Sequence, residues 1–140
     1  MNLLAIEYGS KRVGLAVGSS ETGVAAPFRL LERKDDASLI KDIEVAVKGE
    51  RADRVIMGLP LAEDGSHTVQ EGIVRAFVTM LEAALDVPVE LVDERLSSRE
   101  IEAHMKAMGG QKAWKASGLD RDTAAATLFL QTYLDRLKNK

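Results

Sequence analysis

The chain has no cysteine, which excludes disulfides and thiolate metal sites and says no more about compartment than that a reducing one is tolerated. Its two histidines, His67 and His104, lack a second histidine at ligand spacing, so both read as surface residues rather than as an imidazole metal site. No apolar run approaches the roughly 18 residues that span a bilayer. Met1 leads at once into strand-like residues rather than into a basic segment and an apolar signal helix, so the expectation is a cytoplasmic protein with no membrane partner. Nor is there an excess of positive charge. The formal net charge is −3, which argues against broad electrostatic binding of nucleic acid and leaves room for a local basic strip. Repeats, low-complexity stretches and linkers are missing too. A chain of 140 residues then fits one domain, 1–140, that buries roughly two-thirds of its unfolded surface.

What is present is a clear alternation of patterns. Leu3-Leu4-Ala5-Ile6 is a continuous apolar run, as in a strand covered on both faces. Val13 to Val17 follows after a short turn, and Val24 to Leu31 reads as a third strand; such short connections predict an antiparallel meander. Helical spacing begins near Ala37 and lasts to Gly49, through Leu39, Ile40, Ile43, Val45 and Val47. Arg54 to Gly58 is a fourth strand, and a polar loop, 60–67, leads to a helix over about 68–84. In that helix Val69, Ile73, Val74, Phe77, Met80 and Leu81 keep helical spacing, and no apolar stripe is expected to remain outside the core. Val87 to Val92 is a fifth strand. Helices are expected over about 97–108 and 120–137, joined by a loop, 109–118, that holds Lys112, Trp114 and Lys115. The order β-β-β-α-β-α-β-α-α predicts an α/β, ribonuclease H-like fold: a five-stranded mixed sheet with helices on both faces and right-handed crossovers.

Two strand ends carry chemistry. Ile6-Glu7-Tyr8-Gly9-Ser10-Lys11-Arg12 and Val92-Asp93-Glu94-Arg95-Leu96-Ser97 each put a carboxylate after an apolar run and a cation a few residues on. If the first and the later parallel strands are neighbours, Glu7 and Glu94 approach each other despite their separation in sequence. A third acid would come from a helix covering the sheet, and Asp122 is the best candidate; Asp120, two residues away, competes with it. Each feature also has a plain structural reading. Glu7 could end a strand and pair with Lys11 or Arg12. Glu94 and Arg95 could be a solvated surface pair. Asp120 and Asp122 sit where helix N-termini favour acids. Gly9 and Gly14 could serve tight turns and close strand packing. Lys112, Trp114 and Lys115 could stack on and bind single-stranded nucleic acid, or be a loop with incidental charge.

Five segments then act together. Ile6-Glu7-Tyr8-Gly9-Ser10-Lys11-Arg12-Val13-Gly14-Leu15-Ala16-Val17, Gly58-Leu59-Pro60-Leu61, Asp64-Gly65-Ser66, Asp93-Glu94-Arg95-Leu96-Ser97 and Asp122-Thr123-Ala124-Ala125-Ala126 occur in order across the chain. In this the sequence resembles the YqgF/RuvX family, relatives of the RuvC Holliday-junction resolvases, essentially end to end. The resemblance implies a metal-dependent nuclease that hydrolyses phosphodiester bonds and matures the 5′ end of pre-16S ribosomal RNA, with a second implied link to branched DNA. It implies Glu7, Glu94 and Asp122 as catalytic ligands of Mg²⁺ or Mn²⁺, with Glu7 bridging. Lys11, Arg12, Arg95 and Ser97 would bind substrate. RNA is the favoured partner over DNA, and the chain would be a monomer or a weak homodimer. The family pattern has aspartate where this chain has Glu7; the added methylene moves the carboxylate by about 1.5 Å. A displacement of about 1 Å can cost on the order of a hundredfold in rate, so this position bears on turnover and on the choice of Mn²⁺ over Mg²⁺.

Other functions remain in view. The chain could be a catalytically weak nucleic-acid-binding or assembly protein, or a resolvase of branched DNA junctions. An acid and two glycines after a first strand also open the nucleotide lobe of sugar kinases, but that machinery needs two lobes and this chain has length for one.

Overall fold

A computed structural model describes residues 1–60, 62, 64–93, 106 and 120–139. Strand β1 (Asn2–Tyr8) pairs antiparallel with β2 (Arg12–Ser19), which pairs antiparallel with β3 (Val24–Glu32). Helix α1 (Asp36–Gly49) leads to β4 (Arg54–Leu59), helix α2 (Val69–Ala84) leads to β5 (Val89–Asp93), and α3 (Arg121–Lys138) ends the described chain. The sheet order is β3-β2-β1-β4-β5, with β1, β4 and β5 parallel. This is the expected mixed α/β sheet with helices on both faces. Apart from residue 106, the helix expected over 97–108 and the loop over 109–118 lie outside the described residues.

Period-two alternation along β1 divides the core. Leu4 and Ile6 face α1 and α2, where they join Leu39, Ile43, Phe77 and Leu81. Leu3 and Ala5 face α3, where they join Ala16, Ile56, Phe129 and Leu130. Because β1 and β4 are buried on both faces, their sequences read as unbroken apolar runs. Strand β3 is an edge strand and mostly exposed. Its Pro27, which cannot donate to a ladder, is tolerated there beside a register shift opposite Leu15 and Ala16.

Two expectations need correction. Strand β5 begins at Val89, not Val87, because Pro88 lacks an N–H and contributes only its carbonyl, which accepts from Val55 N at 3.0 Å. And α2 does leave apolar side chains outside: Val69 is 83% exposed, and Ile73 and Met80 are exposed with it. At 100° per residue, Val74, Phe77, Val78 and Leu81 form the inward arc, while Val69, Ile73 and Met80 fall together along one flank. On α1, Val45 is likewise exposed, and Ala46 takes the inward place beside Val47.

Candidate active site

The carboxyl ends of the three parallel strands lie at one end of the sheet, at Tyr8, Leu59 and Asp93. Strand β4 separates β1 from β5 by two strand spacings, roughly 9–10 Å. Its residue one step beyond the Ile6–Met57 pair is Gly58, paired with Val92, so at the level of Glu7 no β4 side chain stands between them. The chain leaves β5 at Asp93; Glu94, Arg95 and Ser97 follow it and lie outside the described residues.

Glu7 is half-buried at the end of β1, on the parity of Leu3 and Ala5, and so belongs to the α3 face. Its partner across the ladder is Gly14. A Cβ placed on Gly14 would stand 2.2 Å from the backbone carbonyl of Asp122 and 2.5 Å from Thr123 N. The first turn of α3 therefore rests directly on the β1–β2 hairpin, and only a glycine admits it. A Cβ on Gly9 would lie 3.2 Å from Asp122 Oδ1. The structure thus brings Asp122 to the end of β1, on the face to which Glu7 belongs. Gly9 serves the tight turn that its position predicts, while the close approach at Gly14 comes from a helix 108 residues further on (122 − 14).

The two aspartates at the start of α3 divide their work. Asp120 is the N-cap, and its Oδ1 accepts from Thr123 N at 2.7 Å. Burial pushes its carboxyl up, but the hydrogen bonds from Thr123 and neighbouring amides together outweigh that and hold it below the usual range. Asp122 is pushed the other way. Burial raises it first and the Asp120 charge raises it further, while Arg12 and Arg121 offset only part of this. A cap is thus already ionised and engaged, whereas the Asp122 carboxyl sits in a position that would favour a nearby cation. Among the described residues no group of three His, Cys, Asp or Glu gathers. The acids at this end of the sheet, Glu7 and Asp122, offer carboxylate oxygens, the hard type that Mg²⁺ and Mn²⁺ take. They fit such a cation in chemistry.

Lys11 and Arg12 are exposed on the hairpin, Arg12 opposite Glu32 of β3. The turn closes with Gly9 N donating to Arg12 O at 3.0 Å. Sequence patterns missed a further cation here. Arg33, just past β3, donates from Nη1 to Gly9 O at 3.3 Å and lies 4.2 Å from the Tyr8 ring centroid. Nothing in its spacing signals this, because it depends on the β2–β3 pairing that joins Arg33 N to Lys11 O.

A neighbouring motif has a structural job. Asp64 Oδ1 accepts from Ser66 N at 2.9 Å and Gly65 adopts φ 87°, so Asp64-Gly65-Ser66 forms a turn. His67 is exposed, as expected, and pairs with Glu71, which Arg75 also holds. Glu71 is nearly inaccessible, and the hydrogen bond from His67 leads the influences that lower its carboxyl.

A family model described as RuvX, Holliday junction resolvase, matches residues 1–136. The chain is 35% identical over 136 residues to a protein of Maridesulfovibrio salexigens, covering 97% of this chain and 99% of that one. It is 34% identical over 137 residues to one of Chloroflexus aggregans, covering 98% and 95%. Both are named "Putative pre-16S rRNA nuclease". Among solved structures, Thermus thermophilus RuvC in complex with a Holliday junction substrate matches with TM-score 0.59 at 14% identity, covering 92% of this chain and 91% of that one. The Fowlpox virus Holliday junction resolvase matches with TM-score 0.58 at 10% identity, covering 97% and 99%. These likenesses identify the fold as that of RuvC, ribonuclease H-like.

Proposed function

The chain belongs to the RuvX family, and from that premise we propose that it is a metal-dependent nuclease acting on the 5′ region of pre-16S ribosomal RNA. The observation that carries the reading is the Asp122 carboxyl laid against the end of β1, on the face of Glu7. Two acids at that place, on hard-oxygen donors, supply most of a site for Mg²⁺ or Mn²⁺, and Glu94 would add the third arm. A divalent ion bound there would polarise the scissile phosphate and favour hydroxide at neutral pH.

The chain's own groups would do the rest. Lys11 and Arg12, beside the acids on the hairpin, would hold nonbridging phosphate oxygens, Arg12 with a planar fork suited to two of them. Arg95 and Ser97 would hold the strand on the β5 side. The rigid seat of α3 on Gly14 would keep the acids in place while water attacks phosphorus and the bond to the leaving oxygen breaks. No described helix is long and apolar enough to cross a membrane, in keeping with work in the cytoplasm. A monomer or weak homodimer is the expected state, and the exposed α2 flank is where a second copy would be sought.

The test is cleavage of three substrates: RNA carrying the 5′ extension of 16S rRNA, an RNA duplex and a four-way DNA junction. Each is incubated with Mg²⁺, Mn²⁺ or chelator. Metal-dependent cleavage of the RNA is expected. The description of the family model as a Holliday junction resolvase gives a second reading its footing, and preferred cutting of the junction would favour it. Tight binding without cleavage of any substrate would leave the assembly reading and end the nuclease one.

A further inference from the structure

We infer that Arg33 is a positioning residue for the β1–β2 hairpin, locking the turn that seats Asp122 and presents Lys11 and Arg12. The inference rests on the nuclease reading of that site.

The turn is held between two layers. From the α3 face the backbone of Asp122 and Thr123 presses on Gly14, and Asp122 Oδ1 lies over Gly9. From the other face comes Arg33. Its Nη1 donates to Gly9 O at 3.3 Å and to Ser10 O at 3.5 Å, and its guanidinium carbon is 4.2 Å from the Tyr8 ring centroid. The Tyr8 ring is anchored in turn: it meets Phe77 of α2 at 4.7 Å between centroids, and its hydroxyl donates to Asp36 Oδ1 of α1 at 3.5 Å. A continuous chain of contacts therefore runs from the two helices on one face, through Tyr8 and Arg33, to the peptide groups that meet the acid on the other.

The chemistry of arginine suits this place. Gly9 and Ser10 need donors in a fixed direction, and the Tyr8 face needs a flat cation. A guanidinium can do both at once, whereas an ammonium is a compact, strongly hydrated point charge that cannot lie flat on a ring and reach both carbonyls. Because glycine at position 9 is the residue with the least intrinsic backbone restraint, the restraint has to come from outside it. Loss of Arg33 would let the turn drift, and drift of about 1 Å in a catalytic geometry can cost on the order of a hundredfold. Affinity for substrate would change little, since Arg33 is committed to the protein's own carbonyls.

The experiment compares the natural chain with Arg33→Ala and Arg33→Lys by steady-state cleavage of the RNA substrate, thermal melting and amide hydrogen exchange. The expected result is a fall in kcat between about tenfold and a hundredfold at unchanged KM in both variants, with faster exchange at Gly9 N, whose bond to Arg12 O closes the turn. Both variants should still melt cooperatively. A lysine variant with the natural kcat would overturn the inference, because charge alone would then suffice. A raised KM with kcat retained would overturn it too, by making Arg33 a substrate contact, and so would unchanged exchange at Gly9. If the natural chain cleaves nothing, the nuclease reading fails; the exchange result then decides alone whether Arg33 holds the turn.

Discussion

The two ends of the sheet handle charge in opposite ways. At the amino end of the parallel strands, Arg54 donates to Glu90 at 3.2 Å and to Tyr133 OH at 3.1 Å, and Tyr133 OH donates to Glu90. Asn2 N donates to Asp53 Oδ2 at 2.7 Å nearby. Arg54, Glu90 and Asp53 there each find a partner within the protein, and Tyr133 and Arg54 are both raised, Tyr133 by burial and Arg54 by its bond to Tyr133. At the carboxyl end, Asp122 is half-buried against the hairpin near the charge of its own helix cap, Asp120, and Arg12 and Arg121 offset only part of the rise in its carboxyl. Closed polar networks stabilise a fold, while an acid held by packing with only partial compensation is a cost that function has to justify. The contrast supports the proposal that the carboxyl end is the working end.

The sharpest way to break this comparison is to remove an acid from the working end. Glu7→Gln and Asp122→Asn should each lower metal-dependent cleavage on the order of a thousandfold, since a metal-held reaction loses several kcal/mol of stabilisation and each 1.4 kcal/mol is tenfold. Activity within tenfold of the natural chain would remove these residues from the site. Glu7→Asp, read with both metals, sharpens the point: a gain in Mg²⁺ rate is expected from the shorter arm, and equal Mg²⁺ rates would count against it.

Packing comes next. Gly14→Ala puts a methyl where Asp122 and Thr123 already stand and should cost about 1–3 kcal/mol in denaturant unfolding, together with activity. An unchanged midpoint would mean that α3 can shift freely.

Stability against pH separates the two aspartates. A carboxyl raised in the folded state binds its proton more tightly there than in the unfolded chain. Asp122 therefore makes stability fall as pH rises from its ordinary value near 3.8 up through its raised folded value. In chelator, Asp122→Asn should melt higher than the natural chain above that window, and added Mn²⁺ should raise the melting temperature of the natural chain only. Asp120 has the opposite sign: its lowered carboxyl contributes stability that is lost as pH falls through its folded value. Asp120→Ala should cost about 1 kcal/mol through the lost cap. The smallest effect belongs to the quiet end. Glu90→Gln, in a pair whose side chains are about 40% exposed, should change stability by less than about 1 kcal/mol and leave cleavage alone; a loss of cleavage there would erase the difference between the two ends.

Much of this was legible in one dimension. Buried strands β1 and β4 announce themselves as unbroken apolar runs, and α2 falls within the expected 68–84, capped by Thr68 Oγ1, which accepts from Glu71 N. The inward face of α2 was legible only in part, because helical spacing says which residues share a side and not how wide a side the sheet covers. Val69, Ile73 and Met80 fell beyond that width. Pro88 moved the start of β5 for a local reason that the apolar pattern overrode. The sequence favours Asp122 over Asp120 as the third acid, but both sit where helix starts favour acids, and only the structure shows that Asp120 is the cap.

The order of strands and helices, the hydrophobic faces and the residue types able to grip a divalent ion were set by the sequence alone, because they follow from side-chain chemistry and local periodicity. Which acid became a cap and which came to rest on the hairpin was decided in three dimensions. That placement goes with the close seat of the first turn of α3 on Gly14. Contacts between residues so far apart in the chain come from packing, and no spacing along the sequence encodes them.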